Sequence, residues 1–543
     1  MDAAIVKDGS PVREEETDGL AMSAGRVRTI LAVLVLAGLL LRVPGMGARS
    51  LWIDEAVTAR QAIMPLGELI ANVASEVHPP LFHILMHYWV RAFGLTETGM
   101  RSFSLLMGLI AVPVAYLAGR RLYDTRTGLL AAAIVAFSPY AIWYSQEARM
   151  YELALVLALL STLFLWTALT RNTFWSWLAY AVSTTAGMMT HYFFFFLLAG
   201  QTAFFVWFEL ILSEWRSKRE GEAAWSLRRP LGVFSDIPAL KGWLPSIAAI
   251  GLSVFAWLAQ SLLLGHGGFG GYGNQPPRFA LRFNSVVAVF DQLLLGYHDS
   301  PTSEAIVAAW PALIYLSLMS LPLMRPGGRR TWLLISSSAG LVIVAALGQW
   351  SGQILASRYI MPMAAPAFLL LARLLSKLDG RTLRRVAAAM LALSLVAWAN
   401  QSFNPRNEMV FDNREAIGYM VQEHRESDVI LYEPFYLQDV IHYYLPPELE
   451  AVGLPQYGGA GPRNTLELMG QDLSRVVGSG NRVWLVLSFQ NIPRVRKDAG
   501  TTMSWLDQNG YEVADGQDFN QVRVLLFEKM AEAIEPAEGR EGT

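Results

Sequence analysis

Two adjacent carboxylates, Asp54 and Glu55, stand in the stretch RSLWIDEAVTAR, a few residues beyond a membrane-length apolar run. Such a pair suits one of two tasks, taking a proton from a hydroxyl as a general base or holding a divalent cation. Arg149 in YSQEARMYE and Arg358 in ASRYIMP are embedded among apolar and aromatic residues. Ionisable groups at membrane depth are costly and tend to mark a site. The guanidinium fork matches phosphate oxygens and keeps its charge, so two such arginines suit a phosphate. His78, His83, Glu147, His191, Tyr192 and Tyr359 complete the polar set. Each has a plain reading alone: a loop carboxylate is solvated, HY at a span end belongs to an aromatic belt, and Arg42 or Arg101 snorkels to the headgroups. Together, a phosphate holder, a base and a polar pocket point to a transferase using a lipid-linked sugar.

The elements that must position these residues follow from composition. The chain has 543 residues, 53% hydrophobic and 16% charged, where soluble chains are nearer a quarter charged. It reads as a polytopic α-helical membrane protein. A net charge of -2 gives no reason to expect nucleic acid. With no cysteine, disulfides and thiol catalysis are excluded.

Residues 1–27 read as a disordered cytoplasmic tail. Apolar runs of about 20 residues predict spans near 29–46, 100–119, 128–145, 150–170, 174–190, 192–212, 243–264, 304–324, 331–349, 357–376 and 384–400. The first resembles a cleavable signal, and a retained anchor is preferred because many spans follow. Eleven spans, with a range of 10–13, and an inside N-terminus put the basic stretches 119–128, 213–230, 325–330 and 376–385 on the cytoplasmic side. The first outer loop, 47–99, then holds Asp54, Glu55 and His78. Its piece PPLFHILMHYWVRAFG (79–94) is too short to span and carries His83, His87 and Arg91 along one helical face, as an amphipathic helix lying on or re-entering the outer face would. Glu147 with Arg149, His191 with Tyr192, and Arg358 with Tyr359 reach the same outer depth at three further turns.

Residues 28–400 thus form the membrane catalytic domain, and 401–543 an extracytoplasmic α/β domain. In the latter, DVILYEP (428–434), NRVWLVLSF (481–489) and VRVLLFEKM (522–530) read as strands. HGGFGGYGNQPP (266–277) reads as a mobile outer loop.

WIDEA, HPPLFHIL, RSFSLLMGLIAVPVAYLAGRRLYD, SPYAIWYSQEARMYEL, THYFFFF and SRYIMPMAAPAFLLLA, in this order, resemble glycosyltransferase family 39. Its members have the GT-C fold and are related to protein O-mannosyltransferases and to the lipid A aminoarabinose transferase. The likeness spans roughly residues 28–400. It implies an inverting transferase that takes a sugar from a polyprenyl-phosphate donor to a hydroxyl acceptor at the outer face of the cytoplasmic membrane. It maps the acceptor-side carboxylate onto Asp54, with Glu55 beside it, and the lipid-phosphate arginines onto Arg149 and Arg358. His78 departs from the lysine that precedes PPL in the lipid A enzyme. Tyr359 and His78 are assigned to the donor phosphate, and Glu147, His191, Tyr192 and His83 to the sugar and acceptor pocket. Chemistry agrees: a phosphate leaving group needs cations, whereas the acceptor hydroxyl needs a base.

No cofactor is required on this reading, and a divalent cation stays an option. His78, His83, Glu147 and His191 could supply ligands, without any HExxH-like spacing. Two other readings stay open, a transporter or flippase of lipid-linked sugars and an oligosaccharide transferase. A transporter predicts charges near the bilayer midplane and inverted repeats, whereas these charges gather at one face.

Overall fold

The structure is a computed structural model describing residues 22–76, 78–212, 237–263, 296, 328–341 and 357–530, apart from short gaps at 406, 408, 456, 459–460, 463–465 and 479. The expected span 304–324, much of 331–349, the loop 266–277 and most of the N-terminal tail lie outside the described residues.

The membrane part is helical throughout. Its elements are α1 (Ala24–Arg42), α2 (Ile53–Ile63), α3 (Leu66–Ser75), α4 (Leu81–Phe93), α5 (Glu97–Leu122), α6 (Thr125–Phe137), α7 (Pro139–Tyr144), α8 (Tyr151–Arg171), α9 (Phe174–Met188), α10 (Phe194–Phe205), α11 (Leu240–Leu263), α12 (Arg329–Ser338), α13 (Met361–Ser376) and α14 (Gly380–Phe403). Among the described residues, seven helices are long and apolar enough to cross a membrane. Leu36, Leu40, Leu252, Phe255, Leu263 and Val396 lie exposed on these helices, as lipid-facing residues do.

One expected span, 128–145, is broken. Proline disfavours helix at the residue before it, so α6 ends at Phe137 and Ser138 adopts extended backbone. Ser138 then caps α7, accepting from the Ala141 N–H, with Pro139 in the first helical turn. This break carries the chain into the turn that holds Glu147 and Arg149. Below it, α5 and α6 pack through alanines and glycines. A Cβ on Gly128 would stand 2.6 Å from the Tyr116 carbonyl oxygen, so only glycine permits that approach.

Between α1 and α5 lie the three short helices α2 to α4. The predicted amphipathic segment forms α4, which ends at Gly94 with φ +84. Its orientation differs from the simple surface expectation: His83 and His87 are buried, while Tyr88, Arg91 and Phe93 are exposed. The histidine face turns into the protein because α2 and α5 pack against it.

After α14 the chain forms α15 (Asn413–Glu423), β1 (Val429–Glu433), α16 (Gln438–Tyr444), β2 (Ala451–Gly453), a small ladder β3 (Tyr457–Gly458) and β4 (Gly461–Pro462), α17 (Leu466–Val477), β5 (Arg482–Ser488), α18 (Pro493–Gln508), β6 (Tyr511–Phe519) and β7 (Val522–Lys529). The main sheet has the order β2-β1-β5-β7-β6. β1 runs parallel to β2 and β5, and β7 pairs antiparallel with β5 and β6. Ile417, Met420 and Ile441 cover one face, and Leu473, Val477 and Leu506 the other. Covered on both sides, β5 is buried along its whole length, which is why RVWLVLS reads as a continuous apolar run.

Candidate functional site

The site lies at the end of the bundle where α2, the α7–α8 turn, the α9–α10 turn and the start of α13 meet. Asp54 and Glu55 occupy the first turn of α2, where carboxylates oppose the positive helix end. Consecutive helical residues project about 100° apart, and the two acids accordingly face different partners.

Glu55 points inward. Both of its oxygens accept from Arg101, at 2.8 and 2.7 Å, and the two side chains are 1% and 2% exposed. Arg101 also donates to the carbonyls of Met46, Arg49 and Ser50 at 2.7, 2.8 and 3.0 Å. The Ala148 N–H donates to Glu55 at 2.8 Å, tying α2 to the α7–α8 turn. Glu55, expected beside Asp54 in the carboxylate pair, has both oxygens in a buried bidentate ion pair and faces away from Asp54's partners. The same ion pair corrects the snorkelling reading of Arg101. Arg42 is likewise buried and donates to Ser145 Oγ and the Ala136 and Val135 carbonyls, at 2.9, 2.9 and 3.0 Å.

Asp54 faces the opening. Its Oδ2 stands 3.8 Å from both Arg149 Nη2 and Arg358 Nη2. That separation is an ion pair without a hydrogen bond. Arg149 is fixed separately, donating to the Asp54 carbonyl and to Thr58 Oγ1, each at 3.1 Å, and to His78 Nε2 at 3.2 Å. Arg358 lies over the Trp52 ring at 4.9 Å and the Tyr359 ring at 5.4 Å. The Nε atoms of both arginines are buried without a hydrogen-bond partner among the described residues. Two guanidiniums with donors to spare therefore flank one carboxylate.

Histidines floor the site. Burial first, then the charges of Arg149 and Arg358, push His78 down to about 3. His191 is also driven to about 3, by burial and then by His78 and the same arginines. Both are neutral near pH 7, so the positive charge comes from the guanidiniums. His191 Nδ1 accepts from the Phe193 N–H at 3.2 Å, which leaves Nε2 as the protonated nitrogen of the neutral ring. Its ring lies 5.9 Å from that of Tyr359 and 6.0 Å from that of Tyr151. His83 sits behind His78, 6.0 Å between rings, with neither nitrogen partnered among the described residues.

Glu147 accepts from Trp143 Nε1 at 2.6 Å, and its other oxygen is buried and unpartnered. Burial, then Glu55, pushes its carboxyl up to about 7 against the pull of Arg358 and Arg49. Tyr192 departs from the expected pocket: it accepts from Trp257 Nε1 at 3.1 Å and packs beside Leu69 and Val73 of α3. The sequence reading missed Thr58, Trp52 and Tyr151 as members of the set. Thr58 follows Asp54 by four residues, one helical turn, which was the available signal. Among the described residues, no three His, Asp or Glu side chains gather as metal ligands.

An apolar cleft of about 550 Å³ runs along α10 and is lined by Phe195, Leu198, Ala199, Thr202, Val206 and Trp207 of that segment, with Ile247 of α11. It follows the helix that begins directly after His191 and extends toward the opposite end of the bundle, about 18 Å at 1.5 Å per residue.

Residues 77–219 match the model of the family described as dolichyl-phosphate-mannose-protein mannosyltransferase. No curated protein sequence is recognisably similar to the chain. Among solved structures, ArnT from Cupriavidus metallidurans in the apo state aligns with a TM-score of 0.57 at 12% identity, covering 92% of this chain and 98% of that one. The same protein bound to undecaprenyl phosphate aligns with a TM-score of 0.55 at 14% identity, covering 95% and 100%. The chain therefore has the GT-C fold of membrane glycosyltransferases, as its resemblance to glycosyltransferase family 39 implies, and is similar over residues 77–219 to the dolichyl-phosphate-mannose-protein mannosyltransferases.

Proposed function

We propose that this protein is an inverting glycosyltransferase that moves a sugar from a polyprenyl-phosphate donor to a hydroxyl acceptor at the outer face of the cytoplasmic membrane. One observation carries the reading: Asp54 Oδ2 lies equidistant, at 3.8 Å, from Arg149 and Arg358. The donor phosphate takes the spare donors of the two arginines, whose Nε atoms lack partners among the described residues. Asp54 accepts the acceptor's hydroxyl proton as its oxygen attacks the anomeric carbon from the face opposite the phosphate. The bond between that carbon and the phosphate oxygen breaks, and polyprenyl phosphate leaves with its charge held by the guanidiniums. His78 and Tyr359 support the phosphate side, and Glu147, His191 and His83 line the sugar side.

Three further features support this reading. The apolar cleft along α10, whose first lining residue follows His191 by four positions, is assigned to the isoprenoid tail. The likeness to ArnT, solved with undecaprenyl phosphate, points to the same class of lipid. Arg120 and Arg121 lie in the last turn of α5, Arg126 in the first turn of α6, and Arg381, Arg384 and Arg385 in the first two turns of α14, as the positive-inside rule asks if Asp54 faces outward. The guanidinium pair supplies the charge stabilisation that an ion would otherwise supply, so transfer is proposed to persist in EDTA. The test is incubation of detergent-purified protein with a panel of radiolabelled polyprenyl-phosphate sugars and hydroxyl acceptors. Release of polyprenyl phosphate with label on an acceptor is expected. No turnover of any donor, with or without divalent metal, overturns the proposal.

A further inference from the structure

The residues just before Asp54 are held by the α/β domain rather than by the membrane helices alone. The Leu51 N–H donates to Tyr444 Oη at 2.6 Å, and Asn413 Nδ2 donates to the Leu51 carbonyl at 2.9 Å. One residue earlier, Ser50 Oγ donates to Glu415 and accepts from the Arg414 N–H, each at 3.0 Å. The Arg414 guanidinium donates to the Ala48 carbonyl at 2.8 Å and pairs with Glu97 at 3.1 Å. At the other end of α2, Arg60 pairs with Asp439 of α16 at 2.8 Å. Ile53, beside Asp54, packs against the apolar core under α15 and α16.

α16 therefore grips both ends of α2, through Tyr444 at the entry and Asp439 at the exit. Leu51 has its N–H and its C=O each bound to a side chain of the α/β domain, three residues from the carboxylate. Arg101 holds the same segment from the opposite side through Met46, Arg49 and Ser50. A base must sit within hydrogen-bond reach of the proton it takes, and a displacement near 1 Å can cost about a hundredfold in rate.

We infer that the α/β domain is a positioning element for the transfer reaction: Tyr444, Asn413 and Asp439 act on turnover by fixing the register and tilt of α2, and with it Asp54. This rests on the proposed role of Asp54 as base. Arg149 and Arg358 come from other elements, so loss of the grip changes kcat more than donor KM.

The test combines hydrogen exchange with kinetics on the full purified chain. In Tyr444→Phe/Asn413→Ala, amides in residues 47–57 are expected to exchange at least 10-fold faster, with those of β5 unchanged. kcat is expected to fall 10- to 100-fold while donor KM stays within about 2-fold. Unchanged exchange in 47–57 overturns the grip whether or not the reaction proposal holds. Faster exchange with an unchanged kcat overturns the positioning role. A wild-type protein that turns over no donor counts against the proposed function and leaves the exchange result to decide the grip. Where the double variant loosens β5 as well, Asp439→Arg and the reversed pair Arg60→Asp/Asp439→Arg replace it. The single reversal is expected to lower kcat and the paired one to recover it, and failure of the pair to recover overturns the inference.

Discussion

Replacing Arg101 with methionine keeps an unbranched apolar stem and removes the charge from beneath the loop that leads into Asp54. The native guanidinium makes two hydrogen bonds to Glu55 and three to backbone carbonyls, at 2.7–3.0 Å, with both partners almost fully buried. Without it, Glu55 keeps only the Ala148 N–H. Removing one partner of a buried pair costs about 3–5 kcal/mol, because the remaining charge is left uncompensated. The Met46 and Ser50 carbonyls are buried as well and lose their donor, which adds to the cost. A loss of about 4 kcal/mol corresponds to nearly a thousandfold in the folding equilibrium. Glu55→Gln leaves Arg101 with its three carbonyls and costs less, roughly 1.5–3 kcal/mol. The double variant is expected to be more stable than the sum of the singles implies, by about 0.5–3 kcal/mol. Unfolding titrations of the four proteins in mixed micelles with a denaturing detergent measure this. An Arg101→Met midpoint equal to wild type, or strict additivity in the double variant, refutes the anchoring role assigned to the pair.

Three further outcomes are expected. Arg358→Lys keeps the charge but loses the fork and the stacking over Trp52, so donor KM should rise about 10-fold in steady-state assays; an unchanged KM removes Arg358 from the phosphate site. Ala199→Trp, filling the apolar cleft, should raise KM for long polyprenyl donors and spare short-chain ones; equal effects on both place the tail elsewhere. The share of stability that the two histidines supply should fall with pH. With His78 and His191 lowered to about 3 from an ordinary value of about 6.5, the unfolded chain binds more protons between those limits, so their contribution is complete above about pH 6.5 and is lost as pH falls. Glu147, raised to about 7, acts oppositely, its contribution fading as pH rises through 7. The unfolding midpoint of the wild type relative to that of His78→Gln should therefore fall from pH 7.5 to 5.5, mostly below 6.5, and a constant difference refutes the assignment.

What the sequence revealed and what it hid have physical causes. Asp54, Arg149 and Arg358 could be placed together because the positive-inside rule sets each turn on one side, and charges at one depth must face each other or a cavity. The strands Val429–Glu433, Arg482–Ser488 and Val522–Lys529 were visible as short apolar, β-branched runs. The divergence of Asp54 and Glu55 was hidden, since it depends on where α2 begins, and a shift of one residue rotates every side chain by about 100°. Arg42 and Arg101 look like ordinary span ends until the loops that bury them are known. Ser138 and Pro139 did announce a helix break, but the apolar run around them reads through it. The grip of Tyr444 and Asn413 on Leu51 joins positions more than 360 residues apart, and no local pattern signals it.

The central claim is a division of labour between Asp54 and the two arginines, tested by single-turnover transfer alongside equilibrium binding of a radiolabelled polyprenyl-phosphate sugar. Asp54→Asn should bind the donor within about 3-fold of wild type and transfer at least 100-fold more slowly, whereas Arg149→Ala should lose donor binding. An Asp54→Asn protein that transfers sugar at the wild-type rate contradicts the account.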